Sequence, residues 1–119
     1  MIMERGRQEA NEPYRRISVQ EALEMQQEGA IIVDVRRPDE WVSGHASGAV
    51  HLPVDDVLTE AESKLPKDKK LLFICAAGVR SGLAAEMAAA LGFESSNLYN
   101  VEQGTPVWIE TKLPTDYGE

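Results

Sequence analysis

The sequence has a single cysteine, Cys75, in 119 residues. An internal disulfide is therefore excluded, and a lone thiol suits a reducing, cytoplasmic setting where it stays reactive. Histidine is almost as scarce, with only the well-separated His45 and His51. The spacing offers no cluster of metal ligands, so no metal site and no cofactor is expected. Basic residues number 12 against 20 acidic ones, for a net charge of −8. Such a balance argues against nucleic acid, whose phosphates need a basic face. No apolar run approaches the ~20 residues that span a bilayer, so no membrane partner is expected. Residues 1–12 lack the apolar stretch of a secretory signal. Internal repeats and low-complexity blocks are absent as well.

Hydrophobic residues make up 43% of the chain, enough for one core at this length. Residues 1–13 are polar and without period, and read as a flexible N-terminal tail; residues 14–119 read as a single domain. A short strand is expected over residues 14–17. Ser18 with Glu21 forms a capping box that opens a helix running to about Glu28, stopped at Gly29. The β-branched run Ile31-Ile32-Val33 predicts a central strand over 30–35. Pro38 near the start of 37–44 predicts a short helix there. A brief strand follows at 49–52, then a helix within 53–65, a last strand at 97–101 and a short helix at 106–110. Leu113-Pro114 is expected to end the fold, with 115–119 frayed. Alternating strands and helices predict a parallel sheet with helices on both faces.

The most informative stretch is Leu71-Leu72-Phe73-Ile74-Cys75-Ala76-Ala77-Gly78-Val79-Arg80-Ser81. Four apolar residues run into the cysteine as a buried strand does. Ser81 is placed as the cap of the next helix, whose apolar stripe is Leu83, Met87 and Leu91. Cys75 would then stand at the carboxyl end of a parallel strand, facing a helix N-terminus with unpaired N–H groups. That setting favours an anion and lowers a thiol pKa. Arg80 adds a fixed positive charge. Residue types alone thus point to a thiolate nucleophile in an anion cradle. The competing reading is an inert, buried structural cysteine.

Here the sequence resembles a known family. Cys75-x-x-Gly78-x-Arg80-Ser81 resembles the active loop of rhodanese-like sulfurtransferases. Asp34-Val35-Arg36 is similar to that family's strand end, and Glu40-Trp41, Gly44-His45 and Gly48-Ala49 are similar to its next segment. Gly104, Trp108 and Leu113-Pro114 resemble its closing pieces, although Gln103 stands where the family usually has glycine. The resemblance implies a three-layer α/β fold with a five-stranded, mainly parallel sheet, the active loop lying at one edge of its carboxyl face. It also implies sulfur transfer from thiosulfate or a persulfidated protein to a thiol or to cyanide, through a Cys75 persulfide. Ala76, Ala77, Gly78, Val79 and Arg80 would cradle the transferred sulfur, supported by Asp34, Arg36 and Ser81. Arg36 could instead bind an anionic substrate, but a buried charge usually needs a partner, so the supporting role is the expected one. His45 is read as a turn residue bonding to backbone. Two alternatives stand beside transferase activity: a sulfur-relay or protein-binding module with little turnover, and a cysteine-dependent phosphatase or arsenate reductase. The phosphatase loop is one residue longer, and the shorter loop here suits one sulfur atom better than a tetrahedral oxyanion.

Overall fold

The spine of the molecule is a five-stranded parallel sheet of short strands, the three central ones buried on both faces. The computed structural model describes residues 5–119. In chain order the elements are β1 (Arg15–Ile17), α1 (Val19–Gln27), β2 (Ile31–Asp34), α2 (Pro38–Val42), β3 (His45–Ala46), β4 (Val50–His51), α3 (Val57–Lys64), β5 (Leu71–Ile74), α4 (Val79–Ala90), β6 (Leu98–Val101), α5 (Gly104–Glu110) and β7 (Thr115–Asp116). The sheet order is β1-β6-β5-β2-β4, every neighbouring pair parallel. β5 is the middle strand, so the loop after it leaves from the centre of the carboxyl edge and not from one side.

Alternation along β5 sorts its side chains between two cores. Leu71, Phe73 and Cys75 join Val33, Val35, Leu98 and the helix residues Val57, Ala61, Ala84, Ala85 and Ala88. Leu72 and Ile74 join Ile32, Val101 and the helix residues Ala22, Met25 and Trp108 on the other face. Thus α3 and α4 cover one face, α1 and α5 the other. Burial on both sides explains why β5 reads as an unbroken apolar run.

Ser18 and Glu21 close the expected capping box: Ser18 Oγ accepts from Glu21 N at 3.1 Å and Glu21 Oε1 accepts from Ser18 N at 2.9 Å. Gln103, the departure from the glycine pattern, uses its side chain productively. Its Oε1 accepts from Val19 N at 2.8 Å and joins the start of α1 to the turn before α5.

The face of α4 differs from the expected one. Leu83 is 45% exposed and Met87 and Leu91 are only partly buried, whereas Ser81, Gly82, Ala84, Ala85 and Ala88 face inward. The sheet beneath already presents Leu71, Phe73 and Leu98, with Tyr14 just before β1, so the helix lies close and only small residues fit between. At Gly82 the approach is close: a Cβ there would sit 3.0 Å from the Tyr14 hydroxyl. The carboxyl-terminal residues are also not frayed. β7 pairs antiparallel with β3, and Gly118 N donates to Val42 O at 2.9 Å. Of the expected tail, residues 1–4 lie outside the described residues. Arg7 and Arg16 exchange backbone hydrogen bonds of 3.0 and 2.8 Å, and Gly6 N donates to Glu21 Oε2 at 3.0 Å. No helix among the described residues is long and apolar enough to cross a membrane.

Candidate active site

Cys75 follows directly on β5 and is 1% exposed. Its carbonyl accepts from Thr105 N at 2.8 Å, which fixes the start of the loop against α5. The chain then turns at Gly78, whose φ of +89° falls in the left-handed region. That residue, not Ser81, caps α4. The turn is sharp enough that a Cβ on Gly78 would sit 2.9 Å from Glu102 O, so glycine is the residue that fits.

Turning at Gly78 folds the first helical turn back over the thiol. Gly78 N and Ser81 N donate to Cys75 Sγ at 3.2 and 3.3 Å, and Ser81 Oγ lies 3.3 Å from the sulfur. Ser81 is thus inside the helix, buried, and in contact with the thiol it was expected to flank. Burial pushes the Cys75 pKa up. The Ser81 hydroxyl and the amides of Ser81, Ala77 and Gly78 outweigh it, and the net shift is downward. Titrating the thiolate's ultraviolet absorbance, with Cys75→Ser as blank, should therefore give a midpoint below the ~8.5 of an ordinary cysteine. A midpoint at or above that value would mean that burial prevails.

Asn100 is a site residue that sequence reasoning missed. It is buried on β6, accepts from Ser81 Oγ at 2.6 Å and donates from Nδ2 to Gly78 O at 3.0 Å. One amide thereby holds both the glycine turn and the serine. A polar residue among Leu98, Tyr99 and Val101 was the available signal. Thr105 was missed too: its buried hydroxyl is the one side-chain polar atom among the described residues that is buried without a hydrogen-bond partner.

The charged residues pair off. Asp34 and Arg36 are both buried: Arg36 Nη2 reaches Asp34 Oδ2 at 2.8 Å and Gly44 O at 2.8 Å, and Arg36 Nε lies 3.0 Å from Asp34 Oδ1. His51 Nε2 donates to Arg36 O at 2.8 Å. Arg80 forms a bidentate pair with Glu40, at 2.7 Å from Nη1 and 2.9 Å from Nη2. This pairing was not foreseen, since Glu40 stands 40 residues earlier on α2. Hydrogen bonding from Arg80, against the cost of partial burial, holds the Glu40 carboxyl down at about 2. His45 Nδ1 donates to Trp41 O at 2.7 Å, and its ring stacks on Trp41 with centroids 3.5 Å apart. That is the backbone-bonding role expected of it. Ala76 is half-buried, whereas Ala77 and Val79 are exposed at the mouth of the loop.

One cavity lies against the loop and another beside α5. The first, of about 420 Å³, is lined by Ala77, Gly78 and Val79 together with Glu12, Arg16, Glu86 and Glu102. The other, of about 380 Å³, is lined by Arg36, Glu40, Gly44, Thr105, Ile109 and Glu110 among others. Among the described residues no cluster of His, Cys, Asp and Glu could hold a metal ion.

A lone thiol at the carboxyl end of a central parallel strand, held by two amides at the mouth of a helix, defines an α/β protein built around one cradled sulfur. Residues 18–111 match the rhodanese-like domain family, and the chain belongs to that family. The thiosulfate sulfurtransferase GlpE of Pseudomonas entomophila is 36% identical over 101 residues, 82% of this chain and 87% of that one. The GlpE of Haemophilus influenzae is 32% identical over 104 residues, 87% of this chain and 96% of that one. A crystal structure of a rhodanese-related protein from Thermoplasma volcanium superposes with a TM-score of 0.76 at 32% identity, covering 87% of this chain and 98% of that one. The chain is accordingly a sulfurtransferase.

Proposed function

We propose that Cys75 is the nucleophile of a sulfur transfer that proceeds through a Cys75 persulfide. The observation that carries this reading is the sulfur's own environment. Gly78 N and Ser81 N converge on Sγ at 3.2 and 3.3 Å and favour its charged form. The thiolate attacks the outer sulfur of a donor, either thiosulfate or a persulfide. With thiosulfate, the new S–S bond forms as the old one breaks, and sulfite leaves with the electron pair. An acceptor thiolate or cyanide then attacks the outer sulfur of the Cys75 persulfide and restores the thiolate. Both steps are displacements through a covalent intermediate, with a thiolate as the attacking group.

The amides of Ala76, Ala77, Gly78, Val79 and Arg80 cradle the transferred sulfur, a role suited to preorganised donors at a helix N-terminus. Asp34 and Arg36 serve as structural support, because the Arg36 guanidinium is spent on Asp34 and Gly44 O. Ser81 orients the thiol through Asn100. The phosphatase reading has neither the longer loop nor the family behind it.

The test is loading followed by intact mass. The reduced protein is incubated with thiosulfate, or separately with a small persulfide, and the donor is removed. A gain of one sulfur atom, lost again on adding cyanide or a thiol, is the expected result. No gain from either donor, or hydrolysis of an aryl phosphate, would overturn the reading.

A further inference from the structure

Each cation that the sequence places near the thiol is already engaged. Arg36 is held by Asp34, and Arg80 gives both terminal nitrogens to Glu40. The Arg80 guanidinium, on the first turn of the helix whose Gly78 N and Ser81 N bond to the sulfur, is otherwise the natural attractor for an anionic donor. The flanks do not compensate. The larger cavity presents three carboxylates, Glu12, Glu86 and Glu102, against the single guanidinium of Arg16. The smaller presents Glu40 and Glu110 against Arg36. The whole chain carries −8. A dianion approaching this edge meets repulsion from both sides and no unpaired guanidinium at the loop.

Around the sulfur itself the donors are uncharged. Gly78 N and Ser81 N donate to it, and Thr105, on the cavity beside α5, has a buried hydroxyl with no protein partner. Such groups suit a donor that brings little charge of its own. We propose that Glu40 is a specificity-determining residue: by occupying Arg80 it withholds that cation from the donor and turns the site toward persulfides, R–S–SH, over dianionic thiosulfate. The inference rests on the sulfur-transfer reading given above. In the favoured step the Cys75 thiolate attacks the outer sulfur of R–S–SH. The new Cys75–S bond forms, the donor S–S bond breaks, and R–S⁻ leaves with the electron pair while the proton stays on the outer sulfur.

Glu40→Gln frees the arginine while keeping an amide able to bond it. Sulfur uptake is measured with thiosulfate and with the persulfide of 2-mercaptoethanol, which carries at most one negative charge. The expected result is a rise of about fivefold or more in the thiosulfate-to-persulfide ratio of kcat/KM, carried mainly by the KM for thiosulfate. In the variant the thiosulfate reaction should also slow as salt is added. Glu40→Asp, which keeps the charge, should stay near the wild-type ratio. The wild type alone supplies a second readout that no folding defect can obscure. Its thiosulfate kcat/KM should be flat or rise with ionic strength, because the flanks repel the dianion. An unchanged ratio in Glu40→Gln, an equal fall with both donors, or a wild-type thiosulfate rate that drops steeply with salt would overturn the assignment of Glu40. Failure of the wild type to load from either donor would overturn the sulfur-transfer reading itself and this inference with it.

Discussion

Cys75→Ser is expected to lose sulfur transfer by about a thousandfold or more, with no gain of mass after exposure to either donor. A hydroxyl in place of the thiol cannot become a persulfide. It also ionises far above the working range, so the amides that favour a thiolate have no anion to favour. The fold should survive, because Gly78 N and Ser81 N donate to this position and an oxygen accepts from them readily. Thermal unfolding should place the variant close to the wild type while a sulfite-release assay reads background. Turnover above a few per cent of wild type in a well-folded Cys75→Ser protein would mean that the sulfur travels by another route.

The second large effect concerns Gly104, which touches no substrate. Its φ is +82°, and a Cβ there would fall 2.0 Å from Ala76 O, 2.5 Å from Ala76 C and 2.9 Å from Cys75 O. All three are backbone atoms of the active loop, so no side chain can swing aside. Gly104→Ala must move the loop or the start of α5. It is expected to cost about 3 kcal/mol or more, the sum of left-handed strain and overpacking. For a domain of this size that lowers Tm by roughly 10 °C or more. Gly29→Ala separates the two causes. Gly29 has a φ of +110° but nothing within 4 Å of its added Cβ, so strain acts alone there. Urea unfolding of the pair decides the matter: if Gly104→Ala is within about 1 kcal/mol of Gly29→Ala, the contact with the loop is not what matters.

The frame of this molecule was legible because it is written locally. Ser18 and Glu21 are three residues apart and close their box on each other. Leu71 to Ile74 announce a strand buried on both faces, and Cys75 follows at its end. What escaped was set by partners distant in sequence or by competition for space. Glu40 finds Arg80 across 40 residues, and Asn100 finds Ser81 across 19. Neither spacing leaves a periodic trace. The stripe of Leu83, Met87 and Leu91 has helical spacing, but the sheet beneath was already full of Leu71, Phe73 and Leu98, so the small residues won the inner face. Ser81 has the chemistry of a cap. Gly78 alone could turn with a positive φ beneath Glu102, and the helix began three residues sooner. Thr115 and Asp116 looked like trailing residues until β3 supplied a partner strand.

The two outer strands of the main sheet have a bearing on how the protein behaves at high concentration. An open sheet edge is a template on which another copy can pair. β4 is only two residues long, too short to template a ladder. β1 carries Arg15 and Arg16, and the Arg7 backbone already takes both hydrogen-bonding groups of Arg16. Bulky charged side chains and an edge already occupied leave little for a second sheet to grow on. A protein that keeps its one thiol at the centre of its sheet thereby offers little for edge-to-edge pairing at its margins.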